Sequence, residues 1–135
     1  MDARVWDTSA VANGAEEAAN DQFWDGPWYR VRAEAFEVSF LPDDGQDVET
    51  VCNVDVFVDL PDGSRWSATV FTLAEVERLM DLWATTGEAL GGRYFWCSDG
   101  LIVGEPGVSV MVEVLTGLLG SGDFRQVLRQ IDDLE

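Results

Sequence analysis

The chain has 135 residues, with 26 Asp and Glu against 8 basic side chains, a formal charge of −18. Every basic residue is Arg, and neither Lys nor His occurs, which excludes a His-based triad, a His metal site, a Lys Schiff base and a P-loop lysine. At 47% hydrophobic residues the chain has apolar mass for one domain with a real core, and wholesale disorder is excluded.

The first residues, Met1 to Asp7, lack a basic stretch followed by an apolar run, so no signal peptide is expected. No segment approaches the roughly 18 consecutive apolar residues of a membrane helix. The expected location is the cytoplasm. Residues 1–27 read as an acidic arm carrying Trp6, Phe23 and Trp24, with a short helix from Asn13 to Trp24 capped by Asn13. Trp24 and Trp28 flank Asp25-Gly26-Pro27, where they suit either an interface or packing of the arm onto the domain.

Residues 28–135 read as a single α+β domain. Trp28 to Leu41 is a long strand whose apolar phase moves from Tyr29, Val31 and Ala33 to Phe36, Val38 and Phe40, as a β-bulge would make it. Pro42-Asp43-Asp44-Gly45-Gln46 is a turn. Val54, Val56 and Val58 alternate with Asn53, Asp55, Phe57 and Asp59, giving a buried face and a wet one. Leu60 to Ser64 is a hairpin turn, and Arg65 to Phe71 returns as the next strand.

Thr72-Leu73-Ala74-Glu75 is a capping box opening a helix through Val76, Leu79, Met80 and Trp83, which Gly87 closes. Arg93 to Cys97 and Leu101 to Val103 are short strands joined at Ser98-Asp99-Gly100. Trp66, Trp83 and Trp96 fall on apolar phases and are expected in the core. A helix from Pro106 runs through Met111 and Leu115 to Gly120-Ser121-Gly122. Asp123 then caps a last helix with Phe124, Val127, Leu128 and Ile131 on one face. The element order is βββαββαα: an antiparallel sheet with helices packed on one face.

The residues offer little reactive chemistry. The loop Asp43 to Glu49 has four carboxylates in seven residues, but its glycine falls at the wrong position for an EF-hand, so a solvated turn is expected. Asp55 and Asp59 lie four apart on the wet face of a strand, a poor place for paired-carboxylate catalysis. Cys52 and Cys97 have no CxxC partner, and an acidic neighbourhood disfavours a thiolate. The glycines form no GxGxxG. No catalytic residue, metal ligand or cofactor is expected.

The charge is the strongest remaining signal. From Ala33 to Ser64 there are nine acids and no base. Such a chain repels nucleic-acid phosphates and anionic membranes. It attracts cationic partners over a Debye length of about 8 Å at physiological salt. Solubility, or adaptation to salt, is the plain alternative.

The stretch Gly91-Gly92-Arg93-Tyr94-Phe95-Trp96-Cys97-Ser98-Asp99-Gly100-Leu101-Ile102-Val103, followed by a helix and Gly120-Ser121-Gly122-Asp123-Phe124, resembles small bacterial proteins similar to immunity proteins of polymorphic-toxin systems. The likeness spans roughly residues 65–131. It implies a non-catalytic protein that holds a cationic toxin domain through an acidic face, and it carries no functional residue over.

The expectation is therefore an acidic binding protein for a basic protein partner, such as a toxin or nuclease, with no nucleic-acid or membrane contact, monomeric or weakly dimeric. Its contact surface is assigned to Asp43, Asp44, Asp47, Asp55, Asp59 and Asp62, with Phe57 as an apolar anchor. The alternatives are a nucleic-acid mimic occupying a partner's binding site, and a scaffold that self-associates through the helical face of residues 107–134.

Overall fold

The computed structural model describes residues 21–131. Its strands are β1 (Asp21–Asp25), β2 (Trp28–Arg32), β3 (Glu37–Leu41), β4 (Asn53–Asp59), β5 (Arg65–Thr72), β6 (Gly100–Val103) and β7 (Arg129–Ile131). Its helices are α1 (Leu73–Thr86), α2 (Glu88–Gly92), α3 (Val108–Ser121) and α4 (Phe124–Val127). The strands form one sheet in the order β1-β2-β3-β4-β5-β6, with β7 sharing the far edge of β5. Every pairing is antiparallel except β5 with β6. The fold is α+β.

One face of the sheet is the core. Val31, Val38, Phe40, Val54, Val56, Val58, Trp66, Ala68 and Val70 point to it, and α3 covers them with Val108, Met111 and Leu115. Burying each such side chain contributes roughly 1.5–3 kcal/mol, so the alternation read in β4 is what orients the sheet. The apolar side of α3 is directed at the sheet.

The N-terminus of α3 is tied to the loop before β4. Gly107 and Val108 donate their N–H groups to the carbonyls of Val51 and Val48, both at 2.9 Å. Gly107 has φ +102, and a Cβ there would stand 2.6 Å from the Glu49 carbonyl oxygen. Glycine is required by both conformation and space.

Several local expectations change. The run from Trp28 to Leu41 is not one bulged strand but two strands reversed at residues 33–36, where Ala33 N–H donates to the Phe36 carbonyl at 2.8 Å. A chain reversal shifts the apolar phase just as a bulge does. Residues 21–25, expected at the end of a helix, pair with β2 as β1 through a two-residue turn with Gly26 at φ +63. The sheet thus begins inside the segment 1–27. Asn13, Trp6 and the rest of that arm lie outside the described residues.

Arg93 to Cys97 is not a strand. Because β6 runs parallel to β5, its connection is a helical crossover through α1 instead of a tight hairpin. Phe95 turns inward from that loop, 4.9 Å edge-to-face from Phe71 and stacked at 5.8 Å on Trp83. Trp96 is left 75% exposed, against its expected place in the core. The last helix stops after one turn at Val127, and Arg129–Ile131 pairs with β5 as β7. Asp123 makes no side-chain cap; its backbone carbonyl accepts from Gln126 and Val127 instead.

Candidate functional site

The seven residues assigned to a contact surface do not form one patch. Asp43, Asp44 and Asp47 share the β3–β4 loop and are exposed. The loop is shaped by its own polar groups: Gln46 Oε1 accepts from Asp43 N–H at 3.0 Å, and Asp47 Oδ1 from Glu49 N–H at 2.9 Å. Anchored on α3 through Val48 and Val51, it holds Asp43, Asp44, Asp47 and Glu49 out to solvent. None of these four has an ion-pair partner among the described residues. Asp55 lies opposite Leu41, near this end, and accepts from Thr69 Oγ1 at 3.1 Å.

Asp59 and Asp62 belong to the other end of β4, roughly 13 Å away at about 3.3 Å per residue. Asp59 is 3.3 Å from Arg65, and Asp62 is 3.1 Å from Arg125. Ser64 donates both its hydroxyl and its N–H to Asp62, and with Arg125 these bonds hold its carboxyl at a pKa of about 2. These acids are occupied within the chain.

Phe57 is half-buried on the outer face of the sheet. Trp28 meets it edge-to-face at 5.5 Å, and the Arg65 guanidinium lies 5.8 Å from its ring centre. Ser39, on β3 between them, is fully buried and accepts from Arg30 Nη1 at 2.7 Å. The outer face is thus roofed by its own aromatic and Arg side chains.

A second polar cluster forms where β4, β5 and α1 meet. Thr72 Oγ1 accepts from Glu75 N–H at 3.0 Å, the first half of the capping box. The second half is absent because the Thr72 N–H is already bonded to the Cys52 carbonyl. The buried Glu75 carboxylate instead takes two bonds from Arg78, at 2.8 and 2.9 Å, one from Asn53 at 3.4 Å and one from the Cys52 thiol at 3.6 Å. The Arg78 bonds hold Glu75 below its ordinary range, while burial and Glu75 push the Cys52 thiol upward. A thiol kept protonated is a poor nucleophile. Both cysteines are free. Among the described residues no three metal-ligating side chains converge.

Residues 73–103 carry what sequence reasoning missed. Leu73, Leu82, Leu90, Tyr94, Trp96 and Ile102 are exposed, while Phe71, Phe95 and Trp83 form an aromatic cluster. Helical periodicity placed Leu73 on the apolar face of α1 and did not assign Leu82, and a strand reading of 93–97 hid Trp96. The available signal was Gly87, Gly91 and Gly92, which mark a reversal instead of a strand approach.

Among the described residues no helix is long and apolar enough to cross a membrane. No protein-family model, curated protein or solved structure matches this chain.

Proposed function

We propose that the protein is a non-catalytic, cytoplasmic binding protein: an immunity-type inhibitor that neutralises a basic toxin or nuclease by occupying it stoichiometrically. The observation that carries this reading is the β3–β4 loop, which projects Asp43, Asp44, Asp47 and Glu49 without an ion-pair partner among the described residues, on a chain of formal charge −18. Unpaired acids held on a hydrogen-bonded loop steer a cationic partner and add association rate more than affinity.

The structure alters which residues this reading uses. Asp43, Asp44, Asp47 and Asp55 stay as the steering group, whereas Asp59 and Asp62 are engaged by Arg65 and Arg125, and Phe57 by Trp28 and Arg65. The test is capture from the native cell lysate at low and then moderate salt, with mass spectrometry of what is released. One basic protein, held one-to-one and displaced by salt, is the expected result. Retention of no basic protein at low salt would reduce the charge to a solubility device.

A further inference from the structure

Six of the seven exposed large apolar side chains among the described residues fall between residues 73 and 102. Leu73 and Ile102 meet at one corner of the fold, whereas Leu82, nine residues past Leu73, is on the opposite side of α1. α1 begins directly after Thr72, whose partner across the parallel pairing is Val103, and Ile102 is the partner of Phe71. The turn at α2 is pressed onto α1, leaving no room for a Cβ on Gly92 beside the Met80 carbonyl. In that turn Ala89 and Leu90 are both left-handed, at φ +54 and +55, yet the Leu90 side chain is 72% exposed. Backbone strain that turns an apolar side chain toward solvent does nothing for the core.

The rim of this corner is acidic. Glu77 and Asp81 follow Leu73 at four and eight residues and so share its side of α1. Glu88 stands two residues before Leu90, and Glu105 three after Ile102. All four are exposed and have no ion-pair partner among the described residues. Arg78 is taken by Glu75, which leaves Arg93 as the countercharge within the segment. β6 pairs with β5 on one side, and its other edge is open among the described residues.

We propose that this α1–β6 corner docks a cationic, extended segment of a partner protein, which lies along the open edge of β6. Its apolar side chains would cover Leu73, Trp96 and Ile102 while its Lys or Arg residues meet Glu77, Asp81 and Glu105. Strand addition supplies backbone hydrogen bonds and the apolar corner supplies side-chain selection. A second copy of this chain fits poorly, because it would set one acidic rim against another. The inference rests on the reading that the partner is basic, and it adds a contact surface separate from the β3–β4 loop.

The test is amide NMR of the full chain titrated with a short synthetic peptide alternating Lys and Val, against a control with Ser replacing Val. Shift changes at residues 73–103 are expected, with the Ser peptide about tenfold weaker. The double variant Trp96→Ala/Ile102→Ser, altered at exposed positions, should also weaken the Lys-Val peptide about tenfold. Glu77→Gln with Asp81→Asn should flatten the salt dependence. Shifts confined to residues 43–62 would overturn the docking corner while leaving a cationic partner in place. No binding by either peptide would count against both. Shifts at 73–103 that grow with protein concentration alone would assign the corner to a second copy and overturn the proposal.

Discussion

Trp28 and Phe57 meet edge-to-face at 5.5 Å across an intervening strand, where the residue paired with Phe57 is Ser39. A small residue at that position is what lets two rings from β2 and β4 touch. Phe57 is consequently part of the sheet's own outer packing. Phe57→Ala should destabilise the fold by about 2 kcal/mol, combining lost aromatic pairing with lost apolar burial. Denaturant unfolding checks this. A variant as stable as the parent would return Phe57 to the candidates for partner contact.

Ser39 sets a complementary test. Ser39→Leu inserts bulk beside Phe57 and removes one bond of Arg30, which keeps its ion pair with Asp25, and a loss of roughly 1–3 kcal/mol is expected from overpacking. Thermal unfolding of this variant beside Ser39→Ala separates bulk from the lost hydrogen bond.

The Glu75 cluster predicts a pH dependence. The folded-state pKa of Glu75 lies below its ordinary value, so its contribution is fully present above the unfolded carboxylate pKa of about 4.3 and is lost as pH falls through the lower folded value. Glu75→Gln should cost about 1.5–3 kcal/mol near neutral pH, since the bonds from Arg78 are charge-assisted. It should also flatten the acid side of the stability profile. Denaturation midpoints measured from neutral pH down to about 3 read both effects.

Gly107→Ala should be among the costliest single-methyl additions in the chain. It combines a φ of +102 with a Cβ 2.6 Å from the Glu49 carbonyl oxygen. Each problem is worth of order 1–3 kcal/mol. The same change would shift the β3–β4 loop, so its unfolding midpoint and its partner affinity should fall together.

What the sequence made legible follows from where local patterns decide structure. The β4 alternation, the β4–β5 turn, the Thr72 cap and the Gly87 stop are each fixed by residues within a few positions, and all stand in the structure. The parallel pairing of β6 depends on a helical crossover, and β7 exists because β5 offers a second edge at Arg65–Ser67. Neither leaves a local mark. The reversal at residues 33–36 mimics a bulge because both change the apolar phase. The acidic residues were legible as charge, but their partition was not. Arg65 and Arg125 reach Asp59 and Asp62 through pairings that span up to 63 residues.

Steering by the loop is read from the association rate of the captured basic partner as a function of ionic strength. It should be made with the parent chain and with Asp43→Asn, Asp44→Asn and Asp47→Asn combined. The loop acids lack ion-pair partners among the described residues, so the triple variant should keep the parent's stability within about 0.5 kcal/mol. It should bind more slowly, with a shallower dependence on salt and a nearly unchanged dissociation rate. An association rate equal to the parent's at low salt would show that the loop has no part in steering a cationic partner, and the proposed binding role of its acids would fail.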